Sequence, residues 1–213
     1  MATYTKRLQK VTAVLCTTAL LAGCTAGTSD NTEPAATTAQ VKAITIEPTA
    51  AYQTMNGFGA SACWWSQEVG NWENAKDILS LLYDENSGIG LNIYRYNLGA
   101  GSKDDATITD PDRRAEAFID KDGSYHWERD AAAQNALALA KSMNKDLRVT
   151  LFSNSAPVFY TTNGKAYCDY LPDDEKYITN LEPERYADFA KYSIACAKHF
   201  TEAGYRVTGP VSH

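Results

Sequence analysis

A glycine-rich segment near residue 60 is the first part of the sequence whose residue types and spacing could do chemistry. Residues 57–62 read Gly-Phe-Gly-Ala-Ser-Ala and match the Gly-x-Gly-x-x-Ala pattern of dinucleotide-binding loops. In such loops a helix follows at once and binds pyrophosphate, and an acidic residue ends the next strand. Here Cys63, Trp64 and Trp65 follow, and the next apolar run ends in Arg95 and Asn97. The context therefore argues against nucleotide binding.

Acidic side chains occur at three places where paired carboxylates could act as acid and base. Glu68 follows the first predicted strand, Glu182 and Glu184 flank Pro183, and four aspartates share one long loop, at positions 104, 105, 110 and 112. Negative charge at a helix start interacts favourably with the helix dipole. A cluster of loop aspartates is typical of a solvated surface. We therefore assign no catalytic acid among these residues.

The elements that must position these residues follow a regular alternation. Apolar runs bounded by glycine and asparagine alternate with helical periodicity, which predicts parallel β/α units. Strands are predicted at residues 56–62, 91–97, 148–153 and 206–212, with an outlying strand at 41–46, and helices at 72–83, 130–143 and 183–204. The last helix has an apolar stripe of Tyr186, Phe189, Ala190, Ile194, Ala197 and Phe200. This alternation fits a barrel and a doubly wound sheet equally well.

The connections predict where a ligand would bind. The helix-to-strand links are short, whereas the links that follow Asn97 and Ser153 are long. Sites in parallel β/α folds gather at the carboxyl ends of the strands, where such loops lie. We therefore expect residues 98–129 and 154–182 to face the ligand.

The N-terminal segment predicts export and lipid anchoring. Lys6, Arg7 and Lys10 precede an apolar run over residues 11–21, which is too short to span a bilayer stably. Leu-Ala-Gly-Cys at residues 21–24 is similar to a bacterial lipoprotein signal, so Cys24 is the expected lipidation site. Residues 24–40 are rich in Thr, Ala and Pro, which predicts a flexible tether. Residues 1–23 are the signal peptide, and residues 41–213 form the remaining domain.

Charge and cysteine spacing exclude several partners. The 213-residue chain has a formal charge of −6, and removal of the three basic residues of the signal changes it to −9. Nucleic acid and anionic lipid are therefore unsuitable partners. Cys63, Cys168 and Cys196 remain in an oxidising compartment, and which of them pair in a disulfide is left open. Their spacing fits no zinc pattern, so we expect no metal.

Three ordered motifs carry a family resemblance. They are Tyr-Gln-Thr-Met-Asn-Gly-Phe-Gly-Ala-Ser at 52–61, Ser-Gly-Ile-Gly-Leu-Asn-Ile-Tyr-Arg-Tyr-Asn-Leu-Gly at 87–99, and Phe-Ser-Asn-Ser-Ala-Pro at 152–157 with Thr-Asn-Gly at 162–164. Over residues 45–212 the sequence resembles glycoside hydrolase family 30, and most closely its endo-β-1,6-galactanase-like members. The resemblance implies an α/β fold, the N-terminal half of a TIM (β/α)8 barrel with about four β/α units. It also implies a β-sandwich that would include residues 41–46.

The resemblance implies a chemistry and a set of substrate-binding residues. Members hydrolyse glycosidic bonds with retention, using a general acid and a nucleophilic carboxylate about 5 Å apart, and need no cofactor. Arg95 matches the family's active-site arginine, which would hold the nucleophile. Sugar hydroxyls would meet Asn97, Asn154 and Ser155, and Trp64 and Trp65 would stack on a sugar, although we expect one of these two to belong to the core.

The catalytic carboxylates are not assigned. In the family the general acid follows Gly-Pro-Val-Ser, which this chain has at residues 209–212, directly before His213. We therefore expect both carboxylates beyond residue 213, and expect the chain to be the N-terminal half of an anchored enzyme that acts on galactan or a related polysaccharide. The alternative is a non-catalytic glycan-binding lipoprotein. Because a half barrel leaves two sheet edges unpaired, that alternative requires a homodimer.

Overall fold

The computed structural model describes residues 45–208 of the chain. The predicted signal, Cys24, the tether and residues 41–44 of the outlying strand lie outside the described residues, as do residues 209–213. Thr45 and Ile46 belong to no strand. Of the described residues, 45–51 belong to one unit, which contains a turn closed by the Ala50 amide on the Glu47 carbonyl at 3.1 Å. Residues 52–208 belong to a second unit.

Within residues 52–208, four parallel strands form one sheet. They are β1 (Gly59–Ser61), β2 (Ile93–Asn97), β3 (Arg148–Phe152) and β6 (Arg206–Val207), in the order β1-β2-β3-β6. Ser61 lies opposite Arg95, and Arg95 lies opposite Thr150. The order of these strands in the sheet is the same as their order along the chain, as in one side of a barrel. Strands β4 (Tyr170–Leu171) and β5 (Lys176–Tyr177) form a separate hairpin.

Four helices connect or follow these strands: α1 (Trp65–Val69), α2 (Ala75–Tyr83), α3 (Ala131–Met143) and α4 (Tyr186–Glu202). The core lies between the helices and one face of the sheet. Alternate strand residues on that face are fully buried, among them Tyr94 and Tyr96 of β2. They pack against the helices, with the Tyr83 and Tyr94 rings 5.6 Å apart and the Tyr96 and Phe200 rings 4.9 Å apart. The other face of the sheet carries Arg95 and Thr150.

Several element boundaries differ from the sequence prediction. The first strand begins at Gly59, because Gly57 has a φ of 144° and the amide of Phe58 bonds to the Asn92 side chain. The predicted helix at 72–83 begins at Ala75, and the short helix α1 was not predicted. The last strand covers Arg206–Val207, and residues 209–212 of the prediction lie outside the described range.

The apolar stripe predicted for α4 was partly wrong. Phe189 and Phe200 are buried as predicted, whereas Ile194 is 56% exposed and Tyr186 is 53% exposed. Tyr192 and Cys196 are buried instead. A stripe over positions 189, 192, 196 and 200 follows the helical repeat more evenly than the predicted one.

The two long loops contain local structure of their own. The loop after β2 is closed by the amides of Gly101 and Ser102, which both bond to the Ala115 carbonyl. The loop after β3 contains an antiparallel hairpin of β4 (Tyr170–Leu171) and β5 (Lys176–Tyr177), which was not predicted. Within residues 45–208 there is no helix with the length and apolar character needed to cross a membrane.

Candidate active site

A pocket of about 580 Å³ opens at the carboxyl ends of β2 and β3. We refer to it as the strand-end pocket. Both long loops contribute to its walls, as their lengths predict. Four of the six predicted substrate-binding residues line it, and these are Trp64, Asn97, Asn154 and Ser155.

Trp64 forms one wall of the strand-end pocket. It follows β1 after a cis peptide bond with Cys63 and is half-buried. The guanidinium carbon of Arg113 lies 5.3 Å from the centroid of its ring, and Arg113 in turn pairs with Asp110 at 3.2 Å. The indole is thus supported from the loop after β2, and part of its surface remains open to the pocket.

Trp65 lies elsewhere. Its ring packs against the core with its centroid 6.4 Å from that of Tyr94, and its indole nitrogen donates a 2.9 Å hydrogen bond to the Ser61 carbonyl. It does not line the strand-end pocket. Of the two tryptophans, Trp65 is the one with the core position.

Arg95 lies on the face of the sheet opposite the helices and is exposed. Its guanidinium carbon is 3.4 Å from the centroid of the Phe152 ring, at the end of the neighbouring strand. Among residues 45–208 no carboxylate pairs with Arg95. The stacking on Phe152 therefore orients a cation whose hydrogen-bond donors remain available.

Asn97 is two residues further along β2, on the same face as Arg95. Its side chain is 5% exposed, and its Oδ1 accepts no hydrogen bond from any described residue. A buried amide oxygen without a donor costs on the order of 1–3 kcal/mol. Asn97 lines the strand-end pocket as a residue, but its Oδ1 is shielded from the pocket.

Asn154 and Ser155 follow β3 at the floor between the two loops. Asn154 is exposed, whereas Ser155 is half-buried and its hydroxyl donates to the Ala156 carbonyl at 3.2 Å. The backbone here is fixed by Ser153, whose hydroxyl bonds to the Ser155 carbonyl at 2.6 Å. The Asn154 side chain is therefore presented to the pocket from a rigid turn.

The pocket holds a single carboxylate among its described lining residues. This is Asp110, which is paired with Arg113 and accepts a hydrogen bond from the Asp112 amide at 3.1 Å. Asp105 accepts from the amide and hydroxyl of Thr107, and these bonds lower the pKa of Asp105. Glu182 lies 3.7 Å from Arg185. These acids have local structural roles.

The described residues offer no group of three or more His, Cys, Asp or Glu side chains placed to bind a metal ion. Cys63, Cys168 and Cys196 are free thiols, so the disulfide left open by the sequence is absent between them.

Sequence reasoning missed several polar residues of the strand-end pocket, three of which interact with other parts of the loops. Thr107, Arg113 and Tyr167 all line it. The hydroxyl of Tyr167 donates a 2.9 Å hydrogen bond to Thr107, which joins the two long loops. No periodic pattern marks these residues, because they lie in irregular segments.

The fold and the site define a class of protein. A parallel sheet with helices between its strands, and a pocket built from the loops after the strands, are the features of parallel β/α proteins, a class that includes the β/α barrels. Residues 41–212 match the model of O-glycosyl hydrolase family 30, and the chain belongs to this family.

Similar proteins agree with this assignment. The chain is 29% identical over 180 residues to an endo-β-1,6-galactanase from Hypocrea rufa, covering 73% of this chain and 36% of that protein. Its fold matches a conserved exported protein from Bacteroides fragilis with a TM-score of 0.65 at 27% identity, covering 76% and 35% of the two chains. SrfJ from Salmonella typhimurium matches with a TM-score of 0.53 at 19% identity, covering 74% and 33%.

The chain thus spans about a third of the length of these relatives. Its α/β fold and parallel sheet correspond to about a third of the barrel structures of the family, which confirms the predicted fold class.

Proposed function

We propose that residues 41–213 form the first part of the catalytic domain of a retaining glycoside hydrolase that cleaves β-linked galactan or a related polysaccharide. The observation that carries this proposal is the strand-end pocket, whose lining brings the exposed amide of Asn154 and the hydroxyl of Ser155 together with the indole of Trp64. Amide and hydroxyl groups can both donate to and accept from sugar hydroxyls. Trp64 supplies an aromatic surface in the same pocket, on which the C–H face of a sugar ring can stack.

In this proposal Arg95 stabilises the ionised form of the nucleophile through its positive charge. An arginine next to a carboxyl group stabilises the ionised form and holds its pKa below the usual range. A glycosidase nucleophile must be ionised when it attacks the anomeric carbon. Arg95 is exposed on the inner sheet face, is stacked on Phe152 and pairs with no described carboxylate, so it is free to hold such a nucleophile.

The two catalytic carboxylates are proposed to lie beyond residue 213. A retaining pair stands about 5 Å apart across the scissile bond. Within the described part of the strand-end pocket, Asp110 is the lone carboxylate, and it is already paired with Arg113. Asn97, Asn154 and Trp64 would then bind the sugar while the acid and the nucleophile act from other strands.

Galactan is proposed as the substrate because the chain resembles an endo-β-1,6-galactanase from Hypocrea rufa. Export is proposed because residues 1–23 read as a lipoprotein signal and because a similar protein from Bacteroides fragilis is described as exported. In this proposal Cys24 carries the lipid, and residues 24–40 are the tether between the membrane and the domain.

The test is to express the protein encoded by the reading frame across the codon for His213 and to assay release of reducing sugar from β-1,6-galactan. Arg95→Ala should lower kcat about 100-fold or more, since the group that orients the nucleophile and keeps it ionised is lost. Arg206→Ala is the matched control, because Arg206 is an exposed arginine on the same sheet at the opposite strand end. Equal loss in both variants would contradict the role of Arg95. Hydrolysis by the purified 213-residue chain would contradict the placement of the two carboxylates.

One observation favours the second candidate function, a dimeric glycan-binding lipoprotein. Among the described strands, β1 pairs only with β2 and β6 only with β3, so the sheet has two edges. A second copy could cover them. Sedimentation of the 213-residue chain tests this candidate: a dimer that binds galactan without cleaving it would support it, and a monomer would overturn it.

A further inference from the structure

A second pocket adjoins the strand-end pocket. It has a volume of about 600 Å³ and lies between the loop after β3 and the beginning of α4. We refer to it as the side pocket. The two pockets share Asn154, Ser155, Ala166 and Tyr167 in their walls. The two pockets therefore adjoin along a wall that includes Tyr167.

The side pocket has the chemistry of a neutral polar ligand. Its polar lining consists of hydroxyl and amide groups, including those of Ser155 and Thr179, and of the Cys168 thiol, and none of the residues that line it is charged. Tyr167 and Tyr186 contribute aromatic surface, with exposed fractions of 38% and 53%. Uncharged hydrogen-bonding groups beside aromatic faces suit a sugar, which presents hydroxyls at its rim and C–H groups on its faces.

The wall of the side pocket is held in place by hydrogen bonds within the chain, without a ligand. The Asn180 amide nitrogen donates to Asn163 Oδ1 and to the carbonyls of Lys165 and Tyr167, at 3.0, 2.9 and 3.0 Å. Asn180 is itself 8% exposed. One buried side chain therefore holds three points of the loop, and the site needs little ordering when a ligand binds.

We propose that the side pocket is a second sugar-binding subsite, which receives the continuation of a glycan chain bound in the strand-end pocket. Tyr167 lies at the junction of the two subsites, and Tyr186 is the aromatic wall of the second. This inference rests on the proposed function, since it extends the same carbohydrate site. Each pocket has a volume within the range of small-ligand sites.

The experiment is calorimetric titration of the full 213-residue chain with β-1,6-linked galactobiose and galactohexaose. The hexaose should bind about tenfold more tightly than the biose, because it reaches the aromatic wall of the side pocket. Tyr186→Ala should abolish this difference and leave the affinity for the biose unchanged. Thr179→Trp, which places a bulky ring in the lining of the side pocket, should do the same.

Tyr177→Ala is the control, because Tyr177 is 71% exposed in the same loop and lines neither pocket. Equal affinity for both sugars, or equal effects of Tyr186→Ala and Tyr177→Ala, would overturn the second subsite while leaving the carbohydrate site in place. If neither sugar binds to the wild-type chain, the second subsite is overturned together with the sugar-binding role of the strand-end pocket. The hydrolysis assay with the Arg95 variant is independent of these titrations.

Discussion

The Tyr96 hydroxyl donates a 2.6 Å hydrogen bond to the carboxyl group of Asp130, where α3 begins beside β2. Asp130 is 6% exposed, and its burial raises its pKa to about 7, an effect to which the charge of Glu116 adds. The bond from Tyr96 acts in the opposite direction. The start of α3 therefore contains a buried acid that is neutral in the folded chain over a wide range of pH.

Asp130→Asn should remove a pH dependence of stability. The pKa of Asp130 is higher in the folded chain than its ordinary value of 3.8. Protonation of Asp130 therefore contributes fully to the free energy of unfolding below about pH 4, and this contribution is lost as the pH rises to about 7. Relative to the wild type, the free energy of unfolding of the variant should increase by on the order of 1 kcal/mol for each pH unit in this interval. Urea unfolding at pH 4, 5.5 and 7 measures this. Asp122→Asn is the control, because Asp122 is exposed and its pKa is lowered; parallel profiles for all three proteins would contradict the prediction.

Helix α2 offers a matched pair of leucines. Leu79 is fully buried, whereas Leu81 is 64% exposed. Leu79→Ala should lower the free energy of unfolding by about 2–5 kcal/mol, since it leaves a cavity in the core. Leu81→Ala should change it by less than about 0.5 kcal/mol. Equal changes in the urea midpoint would show that the outer face of α2 is covered in solution.

Gly99 is required by close packing between two loop segments. A Cβ atom at this position would overlap the carbonyl oxygen of Glu116 and lie 2.8 Å from the Ala115 Cβ. Gly99→Ala should therefore destabilise the chain by about 1–3 kcal/mol and displace the loop after β2. At Gly164 φ is 65°, but nothing lies within 4 Å of an added Cβ atom. Gly164→Ala should therefore lower the free energy of unfolding by only about 1–2 kcal/mol, because the left-handed backbone conformation is unfavourable for alanine. Proteolysis of the loop after β2, faster in the first variant only, would report its displacement.

The two tryptophans should respond differently to replacement. Trp64→Ala should weaken binding of galactobiose about tenfold with little change in stability, since one face of the indole is open to the pocket. Trp65→Ala should destabilise the fold by about 3 kcal/mol or more, since its ring packs on the core. Titration calorimetry and thermal unfolding separate the two effects. A loss of stability in the Trp64 variant equal to that of the Trp65 variant would contradict the open position of Trp64.

The three described cysteines should react at different rates. Cys196 is fully buried, and burial raises the pKa of its thiol to about 12, whereas Cys63 and Cys168 are half-buried. Because the thiolate is the reactive form, iodoacetamide should label peptides with Cys63 and Cys168 in the native chain and Cys196 only in denaturant. Mass spectrometry of the digest measures this, and rapid native labelling of Cys196 would contradict the burial of α4.

The sequence predicted the alternation of strands and helices better than their details. The predicted limits of α3, residues 130 and 143, lie close to the observed ones, because regular apolar spacing is a local signal. In α4 the residue type does not distinguish Tyr186 from Tyr192, because tyrosine occurs on both the buried and the exposed face of helices. Tyr192 is buried because Phe118 and Tyr125, which lie far away in the sequence, contact it, whereas Tyr186 remains exposed.

The residues of the strand-end pocket also differ in how well their positions can be predicted from the sequence. Asn97 and Asn154 were predictable because they follow strands, and the ends of parallel strands meet at one edge of the sheet. Tyr167 was not predictable, because its position depends on the bonds of Asn180, a residue 13 positions further along the chain. Hydrogen bonds between irregular segments leave no periodic trace in the sequence.

The hydrogen bond between Tyr167 and Thr107 joins residues 60 positions apart on loops that begin from different strands. Each loop is anchored at its base by the sheet and at its far side by the other loop. A movement of either loop therefore changes a contact of the other, at the wall that the two pockets share. A change at Thr107 will consequently reach the side pocket through Tyr167, although Thr107 itself does not line that pocket.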